Sequence, residues 1–111
     1  MNDRIIKINQ QKNHSILREH TKVLNSGYVY LESGKECGLH STKHYEEMLI
    51  ILEGEGTIIF ENDTQVVKEN NVVYIPPYTS HNVIAGNKPL KYIYIVAPVY
   101  NESESITKLG E

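Results

Sequence analysis

The sequence predicts an all-β fold in a single domain, built as a sandwich or barrel of short strands. Eight tyrosines and several runs of Val and Ile favour strands, because aromatic and β-branched side chains pack well on a pleated sheet. The apolar runs are short and end at clusters of Gly, Pro or Asn, a pattern typical of sandwiches and barrels. The chain has 111 residues, 40% of them hydrophobic, with no internal repeat and no Pro/Gly/Ser linker. We therefore expect one core and one domain.

From the N-terminus onward, the chain divides into three regions. We assign residues 1–27 to an N-terminal segment, 28–100 to a barrel and 101–111 to a polar C-terminal tail without an assigned function. In the N-terminal segment, residues 4–8 alternate weakly between polar and apolar and predict an edge strand, whereas the polar residues 9–13 predict a loop.

Seven strands are predicted in the barrel, and each is an apolar or β-branched run that stops at a turn signal. They lie at residues 28–31, 48–52, 57–60, 64–67, 72–75, 81–84 and 90–97. Gly34 and Gly54 are expected in turns, and Gly54 is expected to take the positive φ that glycine tolerates. Pro76 and Pro77 end the strand before them, because proline cannot continue a ladder of hydrogen bonds.

The strand at 48–52 has two apolar faces. Leu49 and Ile51 lie on one face and Met48 and Ile50 on the other, because side chains alternate along a strand. Each apolar face needs a covering layer. We expect a second copy of the chain to cover one of them, forming a homodimer. The alternative is a monomer whose own N-terminal segment packs over that face.

Charge and cysteine content exclude several classes of partner. The net charge of -3 and a pI near 5.9 offer no field for a polyanion, and no block of Lys and Arg appears, so we expect no nucleic-acid partner. Cys37 is the only cysteine, which excludes a disulfide within the chain. No apolar run is long enough for a secretory signal or a membrane span, and we expect a cytoplasmic protein without a membrane partner.

Three of the five histidines and a pair of glutamates fall in two stretches, at residues 40–47 and at His81, each beside a turn at a strand end. Loops on a rigid sheet are common carriers of functional side chains. Imidazole nitrogen and carboxylate oxygen together suit a divalent transition metal, and two His with one carboxylate leave coordination positions open. Taken alone, each of these residues is more often a solvated side chain at a turn.

Taken together, the two stretches resemble the two motifs of the cupin superfamily. The first motif is held by Gly34, His40, Glu47 and Gly54, with Thr42 in place of its second histidine. In the second motif the matches are Pro76 and His81, and the departures are Asn70 and Tyr78 for glycines and Ala85 for asparagine. Fifteen residues, 55–69, separate the motifs, which is similar to the spacing in small microbial cupins. The resemblance covers about residues 28–100 and implies a double-stranded β-helix, or jelly-roll barrel.

The resemblance also implies one divalent metal ion inside the barrel, with His40, Glu47 and His81 as ligands. Thr42 is expected to face the same interior, where its hydroxyl would be a poor ligand for a transition metal. His44 lies two residues after Thr42, so it is expected on the same side of the chain and is the candidate fourth ligand. The alternative is that His44 lies in a solvated loop. These ligand types do not distinguish among Fe, Mn, Ni, Cu and Zn.

Further expectations concern residues around this site. Glu46 is expected to face outward, and Cys37 is expected to be a small, semi-buried side chain. Tyr78 replaces a motif glycine, which implies a differently built turn. Four tyrosines alternate along strands and are expected either to line a ligand cavity or to pack within the barrel: Tyr28, Tyr30, Tyr92 and Tyr94.

The reaction is not determined by the resemblance, since cupins include dioxygenases, isomerases, epimerases, decarboxylases and non-catalytic binders. Our leading hypothesis is a metal-dependent protein that binds or acts on a small molecule. The alternative is a metal-free barrel that binds a sugar or small metabolite as a sensor or storage module. The missing second histidine keeps this alternative open, and metal content separates the two.

Overall fold

The computed structural model describes residues 5–99. In this part of the chain, strands with alternating apolar side chains form two β-sheets. The nine strands in this part are β1 (His14–Leu17), β2 (Asn25–Leu31), β3 (His40–Ser41), β4 (Tyr45–Glu53), β5 (Glu55–Phe60), β6 (Asp63–Lys68), β7 (Val72–Ile75), β8 (Ser80–Ala85) and β9 (Leu90–Pro98). The first sheet has the order β1-β2-β9-β4-β7 and the second β3-β8-β5-β6. Most neighbours in a sheet are distant in sequence, as in a jelly roll. The predicted all-β jelly-roll fold is confirmed.

The core lies between the inner faces of the two sheets. On β4, the inward-facing Leu49 and Ile51 keep only 3% and 1% of their surface exposed. They belong to one apolar cluster with Ile58 and Val83 of the second sheet. His81 on β8 is also buried, at 2% exposure, among these apolar side chains. A polar side chain buried to this degree requires hydrogen-bonding partners.

All seven strands predicted in the barrel are present, and six of them are longer than predicted. Gly34 and Gly54 have φ values of 73° and 93°, as expected for turns. A Cβ at residue 54 would collide with the carbonyl oxygen of Pro89, so this turn requires glycine for space as well as for conformation. Asn70 takes a φ of 72°, which asparagine tolerates in place of the motif glycine. None of the described residues forms a helix long and apolar enough to cross a membrane.

The predicted edge strand at residues 4–8 is wrong: residues 5–8 form no strand, and residue 4 lies outside the described part. The edge strand is β1, in which His14 pairs with Tyr28 of β2. Its four residues carry little alternation of their own, so the pairing depends on the neighbouring strand rather than on a local pattern. Residues 9–13 form no strand, as predicted. The predicted tail, 101–111, lies outside the described residues.

The outer face, meaning the side of the first sheet that points away from the core, is apolar across β9, β4 and β7. Its residues form two rows, one of Ile95, Met48 and Tyr74 and one of Ile93, Ile50 and Val72. Val72 and Tyr74 are 61% and 57% exposed. Toward β2 the N-terminal segment covers the outer face. Tyr28 is buried there, and its hydroxyl donates a hydrogen bond to the carbonyl oxygen of Gln10 at 2.9 Å. The end of the outer face near β7 is left exposed.

Candidate metal centre

Three of the four predicted ligands converge between the sheets. His40 on β3 and His81 on β8 are direct partners in the second sheet, and their ring centroids are 4.2 Å apart. Glu47 on β4 reaches the same point from the first sheet. One donor atom from each of these three residues lies within 4.8 Å of the other two. Two imidazoles and a carboxylate at this spacing form a donor set that suits a divalent transition metal.

Backbone carbonyls orient both imidazoles in the same way. Nδ1 of His40 lies 2.8 Å from the carbonyl oxygen of Gly38, and Nδ1 of His81 lies 2.9 Å from that of Thr79. A carbonyl oxygen only accepts, so each Nδ1 carries a proton and donates it. The Nε2 atoms are therefore the ones left to coordinate, and their direction is set by the backbone.

The pKa of His81 lies above its ordinary value. Burial lowers the pKa of this imidazole, but the hydrogen bond with Glu47, the carbonyl of Thr79 and the charge of Glu47 together raise it by more. Nε2 of His81 lies 3.2 Å from Oε1 of Glu47, close enough for a proton to join them. The contact with Glu47 thus favours the protonated, positively charged form of His81.

Thr42 supports the turn that orients His81. Its buried hydroxyl donates to the carbonyl of Pro76 at 2.7 Å and accepts from the amide N–H of Thr79 at 3.0 Å. The amide of Thr42 donates in turn to the Thr79 carbonyl at 3.3 Å, the same carbonyl that holds Nδ1 of His81. Thr42 does not line the cavity beside the three donors, contrary to the expectation that it faces the missing ligand position. Its hydroxyl is occupied by the turn between β7 and β8.

Tyr78 in this turn has a φ of 54°, so a tyrosine adopts the left-handed region that favours glycine. The difference from the family's turn that this substitution implies stays a prediction. The amide of Tyr78 donates to the carbonyl of Lys43 at 2.7 Å, which ties the turn to the segment between β3 and β4. This tie and the Thr42 hydrogen bonds hold the non-glycine residue in place.

His44 and Glu46 lie outside the group of three donors. His44 is exposed in the turn before β4, and its ring packs against that of Tyr45 with centroids 4.3 Å apart. Glu46 faces outward, as expected, and its Oε1 accepts a hydrogen bond from the hydroxyl of Tyr74 at 2.9 Å. The structure thus brings together His40, Glu47 and His81 without His44.

A cavity of about 220 Å³ adjoins the three donors. Besides them, its lining consists of Val29, Cys37, Leu49, Val83, Tyr92 and Tyr94. Two of the four tyrosines expected there are present, whereas Tyr28 and Tyr30 face the other side of the first sheet. A wider open groove of about 920 Å³ lies elsewhere on the barrel, but it is lined by none of the three donors and does not serve this centre.

Cys37 is exposed rather than semi-buried, although its sulfur turns toward the cavity. The amide N–H of Val83 donates to Sγ of Cys37 at 3.3 Å. Burial, with a further contribution from Cys37, raises the pKa of Tyr92 far above its ordinary value. The Tyr92 hydroxyl therefore stays neutral and remains a hydrogen-bond donor at the cavity wall.

Sequence reasoning missed the supporting groups around the donors. The carbonyls of Gly38 and Thr79 are invisible in a residue pattern, since every residue has a carbonyl. One signal was available: each acceptor lies two residues before its histidine, at Gly38 before His40 and at Thr79 before His81. In the sequence, the apolar residues that line the cavity are recognisable only as core positions of their strands.

Comparisons with known proteins agree with this architecture. The profile of a family described as "Cupin domain" matches residues 27–96. An uncharacterised protein of Methanocaldococcus jannaschii is 39% identical over 75 residues, covering 65% of this chain and 58% of that protein. The chain thus spans less than two thirds of that relative's length.

Two solved structures illustrate the likeness of fold. A cupin protein from Bacteroides fragilis superposes with a TM-score of 0.77 at 19% identity, covering 88% of this chain and 86% of that one. The Cnp3 cupin domain of Schizosaccharomyces pombe superposes with a TM-score of 0.74 at 20% identity, covering 93% of this chain and 75% of that one. At these identities the likeness concerns the fold alone.

Proposed function

This chain belongs to the cupin domain family, and we propose that it holds one divalent transition metal ion through His40, Glu47 and His81 and binds or acts on a small molecule in the adjoining cavity. The observation that carries the proposal is the convergence of these three donors from two different sheets. Exposed acidic and imidazole groups often cluster without a role, but His81 is buried and both rings are oriented through Nδ1.

The three residues fit such an ion by donor type and by charge. Fe, Mn, Ni, Cu and Zn all accept imidazole nitrogen and carboxylate oxygen. When bound, the ion supplies Lewis acidity, or one-electron chemistry if it is redox-active. His40 and His81 present Nε2, Glu47 offsets part of the positive charge, and the protein leaves room beside them for a small molecule. The fold itself does not select the reaction.

Elemental analysis of protein purified without added metal or chelator tests this proposal. We expect one ion of Fe, Mn, Ni, Cu or Zn per chain, or the same stoichiometry after reconstitution. A protein that stays free of metal after reconstitution with each of these ions contradicts it. That result would favour the alternative of a metal-free cupin barrel that binds a sugar or metabolite, in which His81 and Glu47 stay paired with each other.

Metal binding is expected to release a proton and to weaken as the pH falls. Nε2 of His81 must lose its proton to coordinate, and the raised pKa of His81 means that proton competition already begins above the ordinary value of 6.5. The apparent affinity should fall by about tenfold per pH unit for each competing proton. Calorimetric titration in buffers of different ionisation enthalpy counts the protons released. An affinity that is constant across a pH series spanning this pKa would contradict the expectation.

We also propose that two copies of the chain pair through the outer face, near its exposed edge. The apolar rows there extend to β7, which is an edge strand of the first sheet. Contiguous exposed apolar surface marks interaction sites, and an edge strand can pair with its symmetry mate about a two-fold axis. The N-terminal segment covers the other end of the same sheet, so the alternative cover expected from the sequence accounts for only part of it.

A pair of matched substitutions tests the dimer. Light scattering of the parent is expected to give twice the 12.7 kDa of one chain. Val72→Asp places a charge on the outer face and should produce the monomer. Val66→Asp is the control, because Val66 is similarly exposed, at 66%, but lies on β6 of the other sheet. A parent protein that is monomeric at micromolar concentration would contradict the proposal.

A further inference from the structure

We infer that the cavity beside the three donors takes a short-chain monocarboxylate, whose carboxylate binds at the metal and whose apolar tail of a few carbons fills the cavity. This inference rests on the proposed metal site and adds the chemical class of its ligand. It follows from three properties of the cavity: its charge, its size and the polarity of its wall.

The charge of the site fits a single negative charge on the ligand. No Lys or Arg is among the residues that line the cavity, and Glu47 is its one acidic group. A divalent cation held beside Glu47 leaves one net positive charge. A monoanion neutralises this charge, whereas a phosphate dianion or a sugar phosphate would bring a second negative charge into the cavity without a partner.

The size of the cavity limits the part of a ligand that it can bury to a few carbons. Its volume is about 220 Å³. Since one water in the liquid takes up about 30 Å³, this space corresponds to roughly seven waters, and so to a buried part of fewer than about ten non-hydrogen atoms. The cavity is therefore smaller than the sites that bind drug-sized molecules.

The wall of the cavity is suited to an apolar tail rather than to a polyol. Val29 and Leu49 line it from the first sheet and Val83 from the second. Apart from the three donors, only Cys37, Tyr92 and Tyr94 offer polar atoms there. A sugar would bury several hydroxyl groups against three apolar side chains, and hydroxyls buried without partners are unfavourable. Each methylene of an alkyl tail would instead gain from burial.

Binding of a homologous series of carboxylates to the metal-loaded protein tests the inference. The series runs from acetate to octanoate, with inorganic phosphate and glucose as comparison ligands, and isothermal titration calorimetry measures the affinity. We expect the affinity to rise by about fourfold per methylene while the tail is buried in the cavity, and then to stop rising. Affinity that does not change with chain length, or binding of phosphate or glucose more tightly than butyrate, would overturn it.

The metal content of the same samples distinguishes this failure from failure of the metal site. A protein that takes up no metal overturns both the site and the ligand class. A protein that takes up metal but shows no dependence on chain length overturns only the ligand class. Titration of the metal-free protein should give little binding of any carboxylate, because the divalent cation that holds the head group is then absent and a proton on His81 is balanced by the charge of Glu47.

A cavity variant makes the test specific to this wall. Val29→Ala removes two methyl groups from the lining and should move the preferred chain to a longer tail while the metal content stays unchanged. The matched control is Val23→Ala, because Val23 is 54% exposed and does not line the cavity. An unchanged preference in Val29→Ala would show that the tail binds elsewhere, and would overturn the inference.

Discussion

His81→Ala and His40→Ala are each expected to abolish specific metal binding. The loss of metal affinity should exceed the roughly 10- to 100-fold loss that follows removal of a group that only supports a ligand. Each substitution removes one of the three converging donors, and two donors do not form the site. The two variants differ in their effect on the fold. His81→Ala leaves Glu47 without its buried partner, whereas His40→Ala keeps the 3.2 Å contact between His81 and Glu47.

Metal titration and thermal unfolding separate the two effects. His40→Ala should lose the metal and keep the melting temperature of the metal-free parent, whereas His81→Ala should lose the metal and also melt earlier. His44→Ala serves as the matched variant and is expected to bind metal as the parent does, because His44 lies outside the group of three donors. A large loss of affinity in His44→Ala would instead identify it as a fourth ligand. Parent-like binding by both His40→Ala and His81→Ala would refute the site.

Thr42→Val is expected to weaken metal binding by about 10- to 100-fold although Thr42 is not a ligand. Without the hydroxyl, the carbonyl of Pro76 and the amide of Thr79 lose their partners, which costs about 1–3 kcal/mol of folding stability. The turn that holds Nδ1 of His81 through the Thr79 carbonyl then becomes less well fixed.

Thr42→Ser distinguishes loss of the hydrogen bonds from a change of shape. Serine keeps the hydroxyl and should retain both the metal affinity and most of the stability of the parent. Thermal unfolding of the metal-free variants reports the stability, and metal titration reports the positioning of His81. If Thr42→Val binds metal and melts as the parent does, the turn positions His81 without help from Thr42.

The strands of the barrel could be predicted because their signals are local. The runs that end at Gly54, Asn70 and Pro76 predicted turns that the structure contains, and the six-residue distance to Gly54 in the motif separated Glu47 from Glu46. The edge strand β1 could not be predicted, because its four residues become a strand only by pairing with β2.

At the site, the alternation of side chains along the chain predicted which residues face inward on strands, but it did not do so in turns. His40, Glu47 and His81 lie on strands, where parity and motif position indicate the same inward direction. Thr42 and His44 lie in the turn between β3 and β4, where Lys43 has a φ of 54° and the alternation of side chains ends. The hydroxyl of Thr42 is therefore directed by contacts with a segment that is distant in sequence, which no local pattern reveals.

The three donors come from both sheets, and this has a consequence for the order of folding events. His81 follows Glu47 by more than thirty residues, and the donors meet only after β3 has paired with β8 and the two sheets have closed on each other. A metal ion therefore cannot nucleate the fold, as it can where all ligands lie in one short segment. Once held, it joins the two sheets at one point and must be released before they separate. We expect metal loading to lengthen the lifetime of the folded chain against proteases while leaving its refolding rate almost unchanged.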